Sequence, residues 1–166
     1  MGCLALAGCV EDENGKDDNI KSNENFYLTI VCEPSADWFD YYDIAATYTD
    51  IQGKKIMKML SKDEGINYKA SLPLSDKRLA NSFSCRITAT ARPGITYDED
   101  TRADFTSTTD VKVSVGASES SHSLYYDKAE WIGDFGMKNL QGTKIVKWFE
   151  GNNHQEGTFI NFEYTR

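Results

Sequence analysis

The feature that most constrains the fold of this chain is a two-residue alternation of apolar and polar side chains. It is clearest over residues 83–91, where Phe83, Cys85, Ile87, Ala89 and Ala91 alternate with Ser84, Arg86, Thr88 and Thr90. A period of two places one set of side chains on each face of a β-strand. The pattern therefore predicts a strand with one buried face, which Pro93-Gly94 ends.

Similar patterns recur at short intervals along the chain. Strands are predicted over Phe26–Cys32, Tyr42–Ile51, Lys54–Leu60, Tyr68–Leu74 and Phe105–Val115. The second and third of these runs meet at Gln52-Gly53, which predicts a hairpin. No stretch sustains a helical period, although Asp76–Asn81 and Asp127–Leu140 are each compatible with a short helix.

The C-terminal part contains two more strand-like runs, Thr143–Phe149 and Thr158–Tyr164, on either side of a Gly- and Asn-rich turn. We expect them to form a closing β-hairpin with Ile160, Phe162 and Tyr164 facing inward. Many short strands with few helices favour an all-β fold, an antiparallel two-sheet sandwich. The sandwich is expected over residues 26–117, and residues 118–166 are expected to form a C-terminal extension packed on the same domain.

The strand at residues 83–91 resembles the penultimate strand of immunoglobulin-like and fibronectin type III domains. Cys85 follows Cys32 by 53 residues, close to the separation of the paired cysteines in immunoglobulin domains. The resemblance implies an immunoglobulin-like sandwich, and it admits a Cys32–Cys85 disulfide, with two buried free thiols as the alternative. Phe83 stands where the family has its corner tyrosine, and no tryptophan falls in the strand after Cys32.

The N-terminus carries the most specific motif. Residues 3–8 are apolar or small and lead directly into Cys9, and no Lys or Arg precedes them. The tetrad Leu6-Ala7-Gly8-Cys9 resembles the lipobox of bacterial lipoproteins, whose cysteine receives a diacylglyceryl group and becomes the mature N-terminus. The resemblance implies that residues 1–9 are a signal-peptide remnant and that Cys9 is lipidated, which makes the membrane a partner. The alternative is a frayed apolar terminus with an ordinary thiol.

Residues 10–25 form a predicted acidic, flexible tether. Six acidic and two basic residues give this segment a charge of −4, half of the −8 of the chain. Acidic residues after the lipidated cysteine resemble the export signal of lipoproteins of the Bacteroidota, and a generic charged spacer is the alternative. We expect an outer-membrane lipoprotein of the cell envelope, either periplasmic or exposed at the cell surface. The acidic balance disfavours nucleic acid as a partner.

A search for catalytic and metal-binding residues predicts a protein that is not an enzyme. The two histidines, His122 and His154, lie in polar segments and lack the spacing of a metal motif. The acidic loop with Asp98, Asp100 and Asp104 offers the oxygen ligands that calcium prefers, but it lacks the order of an EF-hand loop. We expect a solvated turn there, with a weak calcium site as the alternative and no other cofactor.

Aromatic residues beside aspartates give the predicted ligand contacts. Trp38, Phe39, Tyr41 and Tyr42 alternate with three aspartates in an inter-strand loop, and a second cluster contains Tyr125, Tyr126 and Trp131. Aromatic rings stack on sugar rings and anchor protein interfaces, although rings at these positions also cap a core. The sequence therefore predicts a non-catalytic, lipid-anchored binding protein whose ligand is a glycan or a protein.

Two other functions are compatible with the sequence. One is a structural or adhesive surface subunit, which resembles small fimbrial lipoproteins and which a long unpaired C-terminal strand at Gly157–Arg166 would favour. The other is an envelope enzyme or an enzyme inhibitor, which would require a concave pocket with converging carboxylates.

Overall fold

The computed structural model describes residues 24–98, 100–120, 123–127, 140–141, 143–151 and 154–166. The predicted signal remnant and all but the end of the predicted tether lie outside these residues. The elements, in chain order, are β1 (Asn25–Pro34), α1 (Trp38–Tyr41), β2 (Tyr42–Thr49), β3 (Lys55–Met59), β4 (Ile66–Pro73), β5 (Ser82–Ala91), β6 (Arg102–Ala103), β7 (Ser107–Gly116), β8 (Ser123–Asp127), β9 (Leu140–Gln141), α2 (Thr143–Glu150) and β10 (Glu156–Thr165).

Two four-stranded antiparallel sheets make up the body of the fold. The first sheet has the order β4-β1-β7-β8, and the second has the order β10-β5-β2-β3. The short strands β6 and β9 form a separate antiparallel pair. The all-β, antiparallel two-sheet sandwich expected from the sequence is confirmed.

Six of the strands are ordered as in immunoglobulin domains. Strands β4 and β1 are neighbours in one sheet, as strands E and B are in immunoglobulin domains, and β10, β5, β2 and β3 follow the order G, F, C, C′ of the other. The difference lies beside β1, where β7 takes the place that strand A has in those domains. In the chain, β7 and β8 come between β5 and β10. The second sheet therefore includes a strand, β10, that lies outside the range of residues 26–117 expected for the sandwich.

A single core joins the two sheets. Four alternating residues are buried in β1 and four in β5, whereas Ala91 at the end of β5 is half-buried. These residues are Phe26, Leu28, Ile30 and Cys32 of β1 and Phe83, Cys85, Ile87 and Ala89 of β5, and β10 adds Ile160 and Phe162. Phe26 of β1 and Phe83 of β5 stack across the sandwich with ring centroids 5.0 Å apart. Each large apolar side chain buried in this way stabilises the fold by about 1.5–3 kcal/mol relative to an exposed one, so the alternation in sequence is the main determinant of the sandwich.

The expected C-terminal hairpin is wrong. Thr143–Glu150 forms helix α2, and β10 pairs with β5 instead of with this segment. The buried residues of α2 are Ile145, Trp148 and Phe149, which have the three- and four-residue spacing of one helical face. The inward orientation of Ile160 and Phe162 in β10 is confirmed.

Candidate functional site

Three of the four predicted ligand-contacting aromatics around α1 are core residues. Trp38 and Tyr42 have no exposed surface, and Phe39 is 5% exposed. The Trp38 ring packs on Phe105 and Phe159 with centroid distances of 4.7 and 4.9 Å, and its indole N–H donates to the Thr106 carbonyl at 2.9 Å. The prediction that Trp38, Phe39 and Tyr42 present rings to a ligand is therefore wrong, because the loop turns them into the end of the sandwich.

Tyr41 is the one half-buried ring of that group. It packs against Phe149 and Phe105 with centroid distances of 5.1 and 5.6 Å. Burial raises the pKa of Tyr41, and the carboxylates of Asp40, Asp37 and Asp98 raise it further. In the second predicted cluster, Tyr125 and Tyr126 belong to β8, whereas Trp131 lies outside the described residues.

The acidic loop forms a hydrogen-bonded turn. The Asp98 carboxylate accepts hydrogen bonds from the Asp100 and Thr101 backbone N–H groups at 3.0 and 2.9 Å, and from the Thr101 hydroxyl at 3.0 Å. The Asp104 backbone N–H donates to the Asp37 carboxylate at 2.6 Å. Within the described ranges, no three potential metal ligands come together. Calcium binding by Asp98, Asp100 and Asp104 stays a prediction.

Cys32 and Cys85 lie on the two strands that correspond to B and F, the strands joined by the inter-sheet disulfide of immunoglobulin domains. Both are buried free thiols in this structure, which is the alternative that the sequence left open. Burial raises the pKa of each thiol to about 12, and the neighbouring Cys85 contributes to the increase at Cys32. A thiol with so high a pKa is a poor nucleophile at neutral pH.

His154 is half-buried and packs on the aromatic residues at the same end of the sandwich as Trp38. Its ring stacks on Trp148 with centroids 3.8 Å apart, and its backbone carbonyl accepts a hydrogen bond from the Tyr42 hydroxyl at 2.7 Å. The Trp148 indole N–H donates to the Tyr42 hydroxyl at 2.8 Å. These contacts give His154 a structural role. His122 lies outside the described residues.

The concave surface with the most suitable chemistry for a ligand is a cleft between β3 and β4, at the side where the two sheets part. We call it the β3/β4 cleft. It has a volume of about 290 Å³ and is lined by Tyr48, Lys58, Glu64, Gly65, Ile66, Asn67 and Tyr68. Small-molecule sites are typically concavities of about 300–1,000 Å³, so the volume is near the lower end of that range.

Two tyrosines form one wall of the β3/β4 cleft. Tyr48 in β2 and Tyr68 in β4 have ring centroids 5.7 Å apart at an interplanar angle of 51°. The Tyr68 hydroxyl oxygen accepts a hydrogen bond from the Ile51 backbone N–H at 2.8 Å, which holds the ring in place. Burial raises the pKa of both phenols, so both remain neutral hydrogen-bond donors at physiological pH.

An ion pair and a glycine complete the cleft. Lys58 Nζ lies 3.0 Å from Glu64 Oε1, with the side chains 31% and 65% exposed. Gly65 packs on β1 so closely that a Cβ there would lie 2.6 Å from the Cys32 carbonyl oxygen. Only glycine fits this approach, which brings the segment leading into β4 against the end of β1.

Sequence reasoning missed this cleft because β2, β3 and β4, although consecutive in the chain, belong to two different sheets, and the alternation within a strand does not show which side chains meet between sheets. Tyr48 in β2 and Tyr68 in the edge strand β4 both occupy inward positions of their strands, where an alternating pattern predicts a core residue. The signal that was available was the polar segment Lys58–Asn67 between two tyrosine-bearing strands.

Comparison with known proteins gave no relative. No protein-family model, no curated protein and no solved structure matches this chain. The candidate site is therefore defined by its own geometry. No helix among the described residues has the length and apolar character needed to cross a bilayer.

Proposed function

We propose that this protein is a non-catalytic, lipid-anchored binding protein of the bacterial cell envelope, and that its ligand occupies the β3/β4 cleft. The anchor is proposed from the tetrad Leu6-Ala7-Gly8-Cys9 and the acidic segment that follows it, which together resemble an outer-membrane lipoprotein. The observation that carries the binding role is the cleft itself, an open concavity that combines two aromatic rings with a Lys–Glu pair and an amide.

The chemistry of the cleft favours a carbohydrate over a protein. Tyrosine rings offer apolar faces to the C–H faces of a sugar, and their hydroxyl groups donate and accept hydrogen bonds. Lys58, Glu64 and Asn67 supply the charged and amide groups that sugar hydroxyls pair with. A protein ligand would instead require a larger apolar patch, since the cores of interfaces are enriched in aromatic and apolar residues.

The test is a glycan-array screen of the full chain carrying Cys9→Ser, which removes the proposed lipidation site. A cleft variant, Glu64→Gln with Asn67→Ala, changes two exposed side chains at the cleft. The matched control, Glu156→Gln with Asn161→Ala, makes the same two chemical changes at exposed positions of β10. The screen is run in calcium and in chelator, because the loop with Asp98 is the alternative contributor.

Signal that the cleft variant loses and the control keeps supports the proposal. Signal that both variants keep overturns the assignment to the cleft, and dependence on calcium moves the site to the acidic loop. If the array is silent, the same proteins are used in a pull-down from the cell envelope. A captured protein that only the cleft variant fails to bind makes the ligand a protein, and silence in both assays overturns the binding role.

A structural or adhesive surface subunit is the second candidate. The observation that favours it is β10, a ten-residue C-terminal strand at the edge of the second sheet. It is paired with β5 on one side, whereas its other side has no strand partner among the described residues. Such an edge is available for pairing with a partner strand.

A further inference from the structure

The two edges of the second sheet differ in charge. β3 forms one edge and β10 the other, and neither has a strand on its outer side within the part of the chain that the structure describes. Residues 54–62 contain four lysines and no acidic residue, whereas residues 156–165 contain two glutamates and no basic residue. Unpaired N–H and C=O groups on an edge strand are a template for another strand, so the two edges are complementary in both hydrogen bonding and charge.

The β3 edge also exposes apolar surface. Met57 and Met59 are 75% and 58% exposed, and they are the large apolar side chains that are most exposed among the described residues. Together with Lys55 they form the exposed set of β3. Methionine side chains are flexible and adapt to irregular surfaces, so they are suited to packing against a strand added at this edge.

The directions of the strands fit the addition of a second copy. Neighbours in the order β10-β5-β2-β3 are all antiparallel, so β3 runs opposite to β10. A copy displaced along the sheet, across its strands, therefore adds its β10 to β3 as one more antiparallel strand. Because sheets twist by roughly 20–25° per strand, successive copies would be related by a rotation as well as a shift.

The register of the sheet sets which side chains would meet. Met57 is opposite Thr47, Thr47 is opposite Arg86, and Arg86 is opposite Asn161, so these four residues form one row across the sheet. In the next row on this face, Lys55 is opposite Thr49, and Ser84 is opposite Glu163. The Ser84 backbone N–H donates to Thr49 Oγ1 at 2.9 Å, which links the two halves of that row.

Continuing these rows into the next copy brings Lys55 beside Glu163 and Met57 beside Asn161. Both charged side chains are exposed, and neither has an ion-pair partner among the described residues. Opposite charges directly across an antiparallel pair stabilise it, and like charges destabilise it.

We propose that copies of this chain associate head to tail, with β3 of one copy paired to β10 of the next and Lys55 beside Glu163. The contact is heterologous, so it leaves one free edge at each end and produces chains of copies instead of a closed dimer. A contact built on one five-residue strand is smaller than the ~1,000 Å² of a stable interface, so the association is weak and depends on concentration. This inference goes beyond the proposed ligand site and does not depend on it.

The test is sedimentation equilibrium of the full chain carrying Cys9→Ser, over roughly micromolar to millimolar concentrations. The average mass is expected to rise with concentration. Lys55→Glu and Glu163→Lys each place like charges across the contact, and each should weaken association by about 3- to 10-fold.

An equimolar mixture of Lys55→Glu and Glu163→Lys is the decisive sample, since opposite charges then meet at every contact between unlike copies. The mixture should recover the association of the parent protein. The matched control is Lys69→Glu, the same charge reversal at an exposed position of β4, and it should leave association unchanged. The proposal is overturned if the parent stays monomeric throughout, if the mixture associates no better than either variant alone, or if Lys69→Glu weakens association equally.

Discussion

Replacing Tyr42 by phenylalanine tests whether one hydroxyl group joins the helix α2 to the sandwich. Tyr42 is the first residue of β2 and has no exposed surface. Its hydroxyl accepts a hydrogen bond from the Trp148 indole N–H at 2.8 Å and donates one to the His154 carbonyl at 2.7 Å. Tyr42→Phe keeps the ring that packs against Trp38 and Phe105 and removes both of these bonds.

The expected loss follows from those two bonds. The hydrogen bond to the His154 carbonyl contributes about 1 kcal/mol, and the buried Trp148 N–H, a donor that loses this acceptor, costs about 1–3 kcal/mol. Trp148 is 3% exposed, so water has little access to its N–H group. Tyr42→Phe should therefore lower the free energy of unfolding by about 2–4 kcal/mol. With a urea m-value of about 2 kcal/mol per molar, the middle of the usual range for small proteins, the midpoint moves by about 1–2 M.

The control is Tyr41→Phe, because the neighbouring residue has the same ring and its hydroxyl has no hydrogen-bond partner among the described residues. That change should cost less than about 0.5 kcal/mol, as is usual for surface substitutions. The assay is urea unfolding followed by tryptophan fluorescence, with the native spectra compared at zero urea. Equal midpoints for Tyr42→Phe and the parent, or an equal loss in both variants, would refute the assigned hydrogen bonds.

Two further changes test the cleft and the core. Gly65→Ala should lower the free energy of unfolding by about 1–3 kcal/mol, because its Cβ would lie 2.6 Å from the Cys32 carbonyl oxygen. Thermal unfolding measures this loss, and an unchanged midpoint would contradict the close approach. In the reduced protein, Cys32 and Cys85 should contribute stability that is present below about pH 8 and is lost as the pH rises toward 12, because the unfolded chain releases their protons before the folded chain, in which the pKa of each is about 12, does. Urea midpoints at several alkaline pH values check this. Cys32→Ala with Cys85→Ala should make the decline shallower than in the parent, and the remaining decline is expected from buried phenols such as Tyr42, whose pKa is also raised to about 12.

The sequence predicted the strands well wherever a single physical signal decided the outcome. In β5, the alternation from Phe83 to Ala91 leaves one arrangement that buries the apolar set, and the register follows. In α2, Ile145, Trp148 and Phe149 fit the buried face of a short helix, while Val146 and Trp148 also fit an alternating strand. A run of this length does not distinguish the two periods, and packing against the aromatic end of the sandwich decides between them.

The candidate sites were harder to predict because exposure depends on where a loop turns. The segment with Trp38 and Tyr42 has the composition of a binding loop. Ser35 and Asp37 nevertheless fix it to residues 104–106 through one backbone–backbone hydrogen bond and three hydrogen bonds between their side chains and the backbone. Those bonds turn the rings inward. No local pattern of aromatics and aspartates distinguishes this result from a surface patch.

The aromatic residues differ in whether they pack the end of the sandwich or line the β3/β4 cleft. The rings of Trp38, Phe105 and Trp148 are used in packing one end of the sandwich, so replacing them would cost stability before it affected binding. Tyr48 and Tyr68 differ from these core rings because both are half-buried and line the β3/β4 cleft. The ligand proposed for the β3/β4 cleft would therefore reach these two rings from the side of β3 and β4.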